Sequence, residues 1–288
     1  MPLHNEPLLL EGIQEIVLTT LYTACVKNAV PVSLILVAAS GTAKSKTLEA
    51  YNGPSIHKTD SFSSNGLFDL MMQDRDGKLR WIITVDLNPT LSRKSSTVES
   101  TMANLLTLTQ DGTCRVDDGR KEKVAQHKPI GLISAVTPDM FQKQTKKWFA
   151  LGLRRRIIPV FYAYSNSAIE ALKKAVREDK ISGANFPKIN LKLDTEKNPT
   201  INQLHASRLE SLGVTFATNL GLSRFNDRGG SEKWYVRKIV PISPIVTLRT
   251  LAKAHAIYNK REVVTDEDVD FMVRFLDFTN ESLPKLIG

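Results

Sequence analysis

Length, composition and charge bound what this chain of 288 residues can be. Its 42% hydrophobic and 24% charged residues are typical of a globular protein, and its longest apolar run is far shorter than the roughly 18 residues of a membrane span. The formal net charge of +9 favours a polyanionic partner such as nucleic acid, although basic proteins are common. The N-terminus lacks a signal-peptide pattern, and Cys25 and Cys114 lack metal-ligand spacing, so we expect a reducing, cytoplasmic compartment.

The first part of the chain alternates between helical and strand patterns. Apolar residues at near-helical spacing predict a helix within residues 8–27. Four further helices and four buried strands follow in alternation: helices at about 44–51, 67–72, 97–109 and 139–149, strands at 34–39, 79–86, 130–136 and 157–162. Residues 114–125, with an Asp-Gly turn, predict a β-hairpin. This alternation predicts an α/β fold with a parallel sheet covered on both faces.

The pattern changes near residue 180. Residues 168–180 and 198–212 predict helices, 221–233 predicts a polar, glycine-rich loop, and only helical periodicity follows. Thr265 and Asp268 form a variant of the capping box at the start of the last helix. We therefore expect one domain at 1–190 and a small all-helical domain at 191–288.

The loop after the first buried strand has the sharpest chemical signal. Residues 38–45, AASGTAKS, match the layout of the phosphate-binding motif G-x-x-x-x-G-K-[ST], whose backbone N–H groups, lysine and serine bind phosphates and Mg²⁺. Both motif glycines are alanine here, Ala38 and Ala43. Alanine tolerates close backbone approach better than a positive φ. A chance Lys-Ser in an ordinary strand–loop–helix unit is the alternative.

A carboxylate at the tip of the next buried strand supports the phosphate-binding interpretation. Asp86 ends the strand 81–85. Sites that bind a nucleoside triphosphate need an acid at such a tip to hold the Mg²⁺ shell. An aspartate that merely forms a turn is the alternative, but the order and spacing of the two features favour a nucleotide site.

Four stretches resemble the minichromosome-maintenance (MCM) helicases, a family of AAA+ ATPases. The loop of that family habitually has Ala-Lys-Ser, as at 43–45, and SSNGL at 63–67 resembles its downstream Ser-Ser-x-Gly-Leu. AVTP at 135–138 resembles the sensor-1 stretch, where the family normally has Asn before Pro. Residues 248–272 are similar to the lid helices of MCM and MoxR-type ATPases. The resemblance spans roughly residues 8–280, with the motifs in the family's order.

The resemblance implies an AAA+ three-layer αβα P-loop domain with a parallel sheet, followed by a small all-helical lid domain. It also implies a homo-oligomer, a ring or helical assembly such as a hexamer, with ATP and Mg²⁺ between neighbouring subunits. The residues that it assigns to the nucleotide are Ala39, Ser40, Gly41, Thr42, Ala43, Lys44, Ser45 and Lys46. Ser45 and Asp86 would hold Mg²⁺, and Thr137 would help to orient the attacking water.

Arginines complete the implied site. Arg154, Arg155 and Arg156 precede a strand, where the family places the arginine finger that stabilises charge on the γ-phosphate from the adjacent subunit. We favour Arg156, then Arg155. Arg249 occupies the position of the sensor-2 arginine. The alternatives are a solvated basic patch for the triplet and a surface arginine for the sensor position.

The sequence departs from the family directly after Asp86. Related ATPases usually have a glutamate there, which polarises water, whereas this chain has Leu87 and then Asn88. General-base assistance contributes typically about 10²–10⁴-fold. Unless Asp111 or Glu99 substitutes, we expect slow hydrolysis.

The predicted hairpin bears on nucleic-acid binding. It contains Arg115, Arg120, Lys121 and Lys123. MCM helicases place a DNA-contacting, pore-facing hairpin at this point of the chain, and basic residues there can neutralise phosphates. A polar hairpin balanced by its acidic residues is the alternative.

These observations predict an AAA+ ATP-binding protein that oligomerises and couples ATP to remodelling of, or loading on, nucleic acid. A MoxR-like chaperone that acts on a protein partner is one alternative. A nucleotide-dependent assembly scaffold with weak or no hydrolysis is another. No membrane partner is expected.

Overall fold

The computed structural model describes residues 10–117, 121–178, 188–193, 195–226 and 232–287. Its α-helices are α1 Glu11–Tyr22, α2 Lys44–Glu49, α3 Ser64–Gln73, α4 Asn88–Leu91, α5 Ser95–Asp111, α6 Pro138–Ala150, α7 Asn166–Arg177, α8 Gln203–Gly221, α9 Ile242–Tyr258 and α10 Asp266–Phe278. Its strands are β1 Ser33–Val37, β2 Tyr51–Asn52, β3 Ile56–Thr59, β4 Trp81–Thr84, β5 Thr113–Asp117, β6 Glu122–Gln126, β7 Gly131–Val136, β8 Ile157–Tyr164, β9 Ile189–Asn190, β10 Leu222–Asn226, β11 Glu232–Val236 and β12 Lys285–Ile287. Across these ranges, no helix combines the length and the apolar character that crossing a membrane demands.

A six-stranded parallel sheet forms the centre of the protein, in the order β12-β8-β1-β7-β4-β3. The register pairs Leu34 with Ile133 and Ile158, and Trp81 with Gly131. Every residue of β1, β4 and β7 is buried. Such nearly continuous apolar strands are typical of parallel sheets that are covered on both faces, so the predicted α/β class is confirmed.

Helices cover both faces of the sheet. Alternate residues of β1 enter two separate apolar clusters: Leu34 and Leu36 join one with α1, α8, α9 and α10, while Ile35 and Val37 join the other with α3, α5 and α6. Side chains alternate across a strand, so the four consecutive apolar residues 34–37 supply both faces. The arrangement is compatible with a three-layer αβα fold.

The pairing of β4 with β7 depends on one glycine. A Cβ at Gly131 would lie 2.0 Å from the Trp81 ring. The indole is fully buried and donates from Nε1 to the Leu21 carbonyl at 3.1 Å. This contact between Gly131 and the Trp81 ring lies at the start of both strands and favours the observed register of β4 and β7.

Residues 222–226 and 232–233, which fall in the predicted loop 221–233, form strands instead, and residues 227–231 lie outside the described residues. β10 and β11 pair there as antiparallel strands, and Arg237 N–H donates to the Gly221 carbonyl at 2.9 Å where the ladder begins. The prediction was wrong because glycine and charge content outweighed a strand signal in the sequence. Trp234, Tyr235 and Val236 are residue types that favour strands.

The C-terminal part was predicted to be all helical, and this prediction is wrong. Besides β10 and β11, it contains β12, which pairs in parallel with β8 and extends the central sheet. Three residues carry little periodicity, and they form a strand because β8 offers an edge of unpaired N–H and C=O groups. The division at residue 190 stays a prediction, and one apolar cluster includes residues of β1 together with α8, α9 and α10.

A partly buried ionic network, centred on the buried pair His255 and Asp268, joins α1 to α9 and α10. His255 Nδ1 lies 2.6 Å from Asp268 Oδ1, and its Nε2 lies 3.2 Å from Glu15 Oε1. Arg261 also contacts Asp268, and Arg274 contacts Glu15. Burial alone would lower the pKa of His255, but hydrogen bonds to both carboxylates outweigh it and raise that pKa. Asp268 also completes the predicted capping box with Thr265.

We predict that this network makes stability depend on pH. A histidine whose pKa is raised by folding stabilises fully below its unfolded value of about 6.5, and this stabilisation is lost as pH rises through the folded pKa. Burial alone would raise the pKa values of Glu15 and Asp268, but hydrogen bonds from His255 outweigh burial and lower both. The stabilisation that these two carboxylates contribute is therefore lost as pH falls through their folded pKa values. Urea unfolding from pH 6 to 9 should show stability falling in the parent chain. The fall should be smaller in His255→Gln, and identical pH profiles would contradict the prediction.

Candidate functional site

The carboxyl ends of three neighbouring strands bring together the predicted nucleotide-site residues. β7 lies between β1 and β4, with Val136 paired to Val37 and Ser134 paired to Thr84. The loop after β1, Asp86 after β4 and Thr137 after β7 therefore lie at one edge of the sheet. Thr137 is half-buried and is the N-cap residue of α6. In open parallel sheets this edge is where ligands bind.

Two residues of the loop are left-handed, and one of them, Ala43, occupies the position of the motif's second glycine. Gly41 has φ +82° and Ala43 has φ +57°, both left-handed. For a non-glycine residue this conformation costs roughly 1–2 kcal/mol, so Ala43 stores strain. Two hydroxyl groups brace the loop: that of Thr42 donates to the Ala39 carbonyl at 2.8 Å, and that of Tyr162 donates to the Thr42 carbonyl at 3.3 Å.

Lys44, Ser45 and Asp86 form a cluster. The Lys44 ammonium donates to the carbonyls of Ala38 and Ala39, at 2.5 and 2.6 Å. Burial lowers the Lys44 pKa, and the nearby Asp86 carboxylate partly opposes this shift. Ser45 Oγ donates to the Val85 carbonyl at 3.4 Å, directly before Asp86.

Lys46 does not join the cluster, although the sequence included it among the nucleotide-binding residues. Its ammonium pairs with Glu49 at 3.3 Å on the exposed side of α2. The motif's lysine therefore contacts its own loop and its serine contacts the residue before Asp86, while the next lysine lies on the exposed side of the helix.

Ser45 and Asp86 are donors that suit Mg²⁺. This ion prefers oxygen ligands, usually one or two carboxylates together with substrate phosphates and several waters. Asn88, which sequence analysis did not assign, supports the carboxylate: its backbone N–H donates to Asp86 Oδ1 at 2.9 Å and its amide to Oδ2 at 3.5 Å. An amide two residues after a strand-terminal aspartate was the available signal.

The position after Asp86 points into the core. Leu87 is fully buried, belongs to the apolar cluster beneath α5 and α6, and donates its N–H to the Ala135 carbonyl at 2.8 Å. Neither suggested substitute acid joins Asp86. Glu99 accepts from Ser95 and then from Lys147, hydrogen bonds that lower its pKa and make it a weaker base. Asp111 ends α5, at the other edge of the sheet.

The arginines before β8 lie at the opposite edge from the loop. Ile157 pairs with Ser33 at the start of β1, whereas the loop follows the end of that strand. Five residues at about 3.3 Å each separate the two edges by roughly 17 Å. Arg154 is structural: it is 2% exposed, pairs with Glu281 at 3.6 Å and donates to the Leu222 carbonyl. Arg155 is exposed and Arg156 is half-buried.

Arg249 shares a cavity with Arg155 and Arg156. The cavity has a volume of about 850 Å³ and is also lined by Lys27 and Lys253, with no acidic residue among the described lining. Burial and the neighbouring Arg155 lower the pKa of Arg156, although the Asp111 carboxylate partly opposes this shift. Burial and Arg249 lower the pKa of Lys253. Arg249 also pairs with Glu210 at 2.5 Å, outside the lining. The structure therefore groups the predicted finger and sensor-2 arginines, but away from their own chain's Lys44.

The predicted basic hairpin consists of β5 and β6. Arg115 exchanges hydrogen bonds with the Asn104 amide, at 2.6 and 3.0 Å, which anchors the hairpin to α5. The register places Arg115 opposite Val124, and Lys123 opposite Val116, so the two cations lie on opposite faces. Arg115 pairs with Glu122 at 3.3 Å, and Lys121 is exposed. Arg120 lies outside the described residues.

Comparison of the sequence with protein-family models and with curated proteins finds no match. The resemblance to the MCM and MoxR-type ATPases therefore stays a prediction from motifs. The functional interpretation depends on the geometry of the two sheet edges.

We predict that Gly41→Ala lowers the free energy of unfolding by about 1 kcal/mol, because alanine is strained at φ +82° although its Cβ would meet no atom within 4 Å. The matched control is Gly66→Ala in the first turn of α3, where the Cβ would lie 3.4 Å from Ser63 Oγ. That change should stabilise by about 0.5 kcal/mol. Urea denaturation of both variants measures the sign of each change in the free energy of unfolding. If Gly66→Ala destabilises the protein and Gly41→Ala does not, the left-handed conformation of Gly41 is contradicted.

Proposed function

We propose that the protein binds a nucleoside triphosphate, with ATP as the expected ligand, together with Mg²⁺ at the carboxyl edge of the sheet, as an AAA+-type module. The observation that carries this proposal is the cluster of Lys44, Ser45 and Asp86 beside a loop with left-handed residues at 41 and 43. A lysine, a hydroxyl and a carboxylate at a small-residue turn are the groups that a triphosphate and its magnesium require.

Each side chain has a role in this binding mode. Lys44, which contacts two loop carbonyls, turns its charge to the β and γ phosphates. Ser45 and Asp86 hold Mg²⁺, which neutralises charge on the phosphate oxygens. Asn88 orients the Asp86 carboxylate, and Tyr162 holds the loop through the Thr42 carbonyl. The bound phosphates offset the backbone strain at Ala43.

Hydrolysis in this site is slow. Leu87 fills the position where related ATPases have their water-polarising glutamate, and its burial leaves no room for a charged replacement. Thr137 and Asn88 follow the ends of β7 and β4 and carry no basic group, and the Asp86 carboxylate is assigned to Mg²⁺. The same observation favours the second candidate, a scaffold whose assembly depends on nucleotide binding rather than on turnover.

The arginine cavity serves the site of a neighbouring copy. Arg155, Arg156 and Arg249 are separated from their own loop by the length of β1, so they act on a triphosphate only from another subunit. Glu210 pairs with Arg249 and Asp111 acts on Arg156, but five cations around one cavity still leave an excess of positive charge that favours an anion. A homo-oligomer in which this edge faces the loop edge of the next copy supplies the anion.

Nucleic acid is the partner that we favour for this assembly. The formal net charge of +9 and the exposed cations Arg115, Lys121 and Lys123 of the hairpin support it. Because these cations occupy both faces of the hairpin, they suit contact with phosphates in a pore or groove better than a flat docking surface. A protein partner, as for a MoxR-like chaperone, is the alternative outcome of a binding assay.

We predict that Lys44→Ala weakens Mg²⁺-dependent ATP binding at least tenfold, because it removes the charge that faces the β and γ phosphates. Fluorescence titration with a labelled ATP measures the effect. Lys78→Ala is the matched control, since Lys78 is an exposed lysine at the amino end of β4 and pairs with Asp76. Equal affinity of the parent and Lys44→Ala would overturn the nucleotide site.

We also predict complementation between subunits. Arg155→Ala/Arg156→Ala should abolish the residual turnover while leaving ATP binding intact, and the exposed pair Lys143→Ala/Lys146→Ala on α6 is the charge-matched control. In a mixture of the double variant and Lys44→Ala, an interface is intact when the double variant supplies the loop and Lys44→Ala supplies the arginines. Random assembly of equal amounts makes about a quarter of the interfaces intact. Steady-state phosphate release should recover accordingly. Turnover unaffected by the double substitution would exclude the finger, and no recovery on mixing would exclude a site shared between copies.

A further inference from the structure

A second cavity adjoins the phosphate-binding loop. Its volume is about 670 Å³, within the range of small-molecule sites. Residues 39–42 of the loop form one wall, and the outer face of α7 forms the other. Ala163 and Tyr164, at the end of β8, line the space between the two walls. The cavity therefore opens from the same loop that we propose to hold the phosphates.

The wall formed by α7 is apolar and exposed. Ile169, Leu172 and Val176 recur at helical spacing and all line the cavity. Ile169 is 38% exposed and Val176 is 61% exposed, while Ala168 is the one residue of α7 that is fully covered. Lys173 and Arg177, on the same helix, line the cavity too. An apolar strip beside a polar loop, with cations next to it, suits a ligand with an apolar ring and an anionic tail.

We propose that this groove, formed by residues 39–42, Tyr164 and the apolar face of α7, holds the base and ribose of the nucleotide. The inference rests on the proposed function, because the phosphates fix which end of the ligand lies at the loop. Ring faces contact Ile169, Leu172 and Val176, and the ammonium of Lys173, which pairs with Glu170 at 2.7 Å, lies beside the path to the phosphates.

The chemistry of the groove predicts weak selection among bases. Apolar side chains contact the face of a ring and do not read the donors and acceptors on its edge. Pockets of this kind discriminate modestly, by about 10–200-fold at most, whereas sites built to hydrogen-bond reject a wrong ligand by about 10⁴-fold. The lining surface is mostly apolar, although five of the eleven described lining residues have polar side chains: Ser40, Thr42, Tyr164, Lys173 and Arg177. The Thr42 hydroxyl already donates to Ala39. We expect ATP, GTP, CTP and UTP to bind within about tenfold of one another.

Calorimetric titration of the full chain with Mg²⁺ separates the two parts of the site. ATP and inorganic tripolyphosphate are the two probes. Leu172→Ser and Val176→Ser should each weaken ATP binding about tenfold, because a buried apolar contact is lost, and should leave tripolyphosphate binding unchanged. Val214→Ser is the matched control, since Val214 is 56% exposed on α8. Val176 is the decisive position if Leu172→Ser fails to fold, because an exposed side chain contributes little to stability.

The outcomes separate this inference from the proposed function. If neither ATP nor tripolyphosphate binds the parent chain, the proposed function fails and the groove fails with it. If both bind and the serine variants leave ATP affinity unchanged, only the groove is wrong. A preference above about 10³-fold for one base would also overturn it. If light scattering shows that Val176→Ser alters assembly without altering ATP affinity, the apolar face is a contact between copies.

Discussion

The insertion of β7 between β1 and β4 is the constraint on which the rest of the structure depends. Buried polar groups hold this strand in place: Leu132 N–H donates to Ser33 Oγ and Ser134 Oγ donates to the Thr84 carbonyl, both at 2.9 Å. An unpaired polar group in such a position would be costly, so these bonds disfavour other registers. With all three strands parallel, the residues that follow them meet at one edge, and the residues that precede them meet at the other.

The two edges differ in chemistry, and this difference organises the proposed mechanism. The carboxyl edge holds one lysine, one hydroxyl and one carboxylate, a set suited to a triphosphate with its magnesium. The amino edge holds a cavity with five cations and no acid among its described lining. Because a strand's length separates the edges, the proposed function requires the carboxyl edge of one chain to meet the amino edge of another. The buried Leu87 is the reason that we propose binding with slow turnover for this arrangement.

The sequence predicted the elements with strong local signals. Buried strands such as Gly131–Val136 and helices such as Pro138–Ala150 lie within a few residues of their predicted bounds. Leu222–Asn226 and Lys285–Ile287 escaped prediction because short edge strands acquire their structure from a neighbouring strand rather than from their own periodicity. The sequence predicted a helix at 168–180, but it did not predict that the apolar face of α7 lies beside the loop.

The sequence by itself determined the α/β class, the loop with its lysine and serine, the strand-terminal aspartate and the leucine that follows it. These features are encoded by neighbouring residues. Only the tertiary structure decided which distant residues meet: that Asn88 supports Asp86, that Lys46 turns away, and that Arg249 joins Arg155 and Arg156 at the far edge. Strand order and register set those distances, and they arise from packing of the whole sheet, which no local pattern contains.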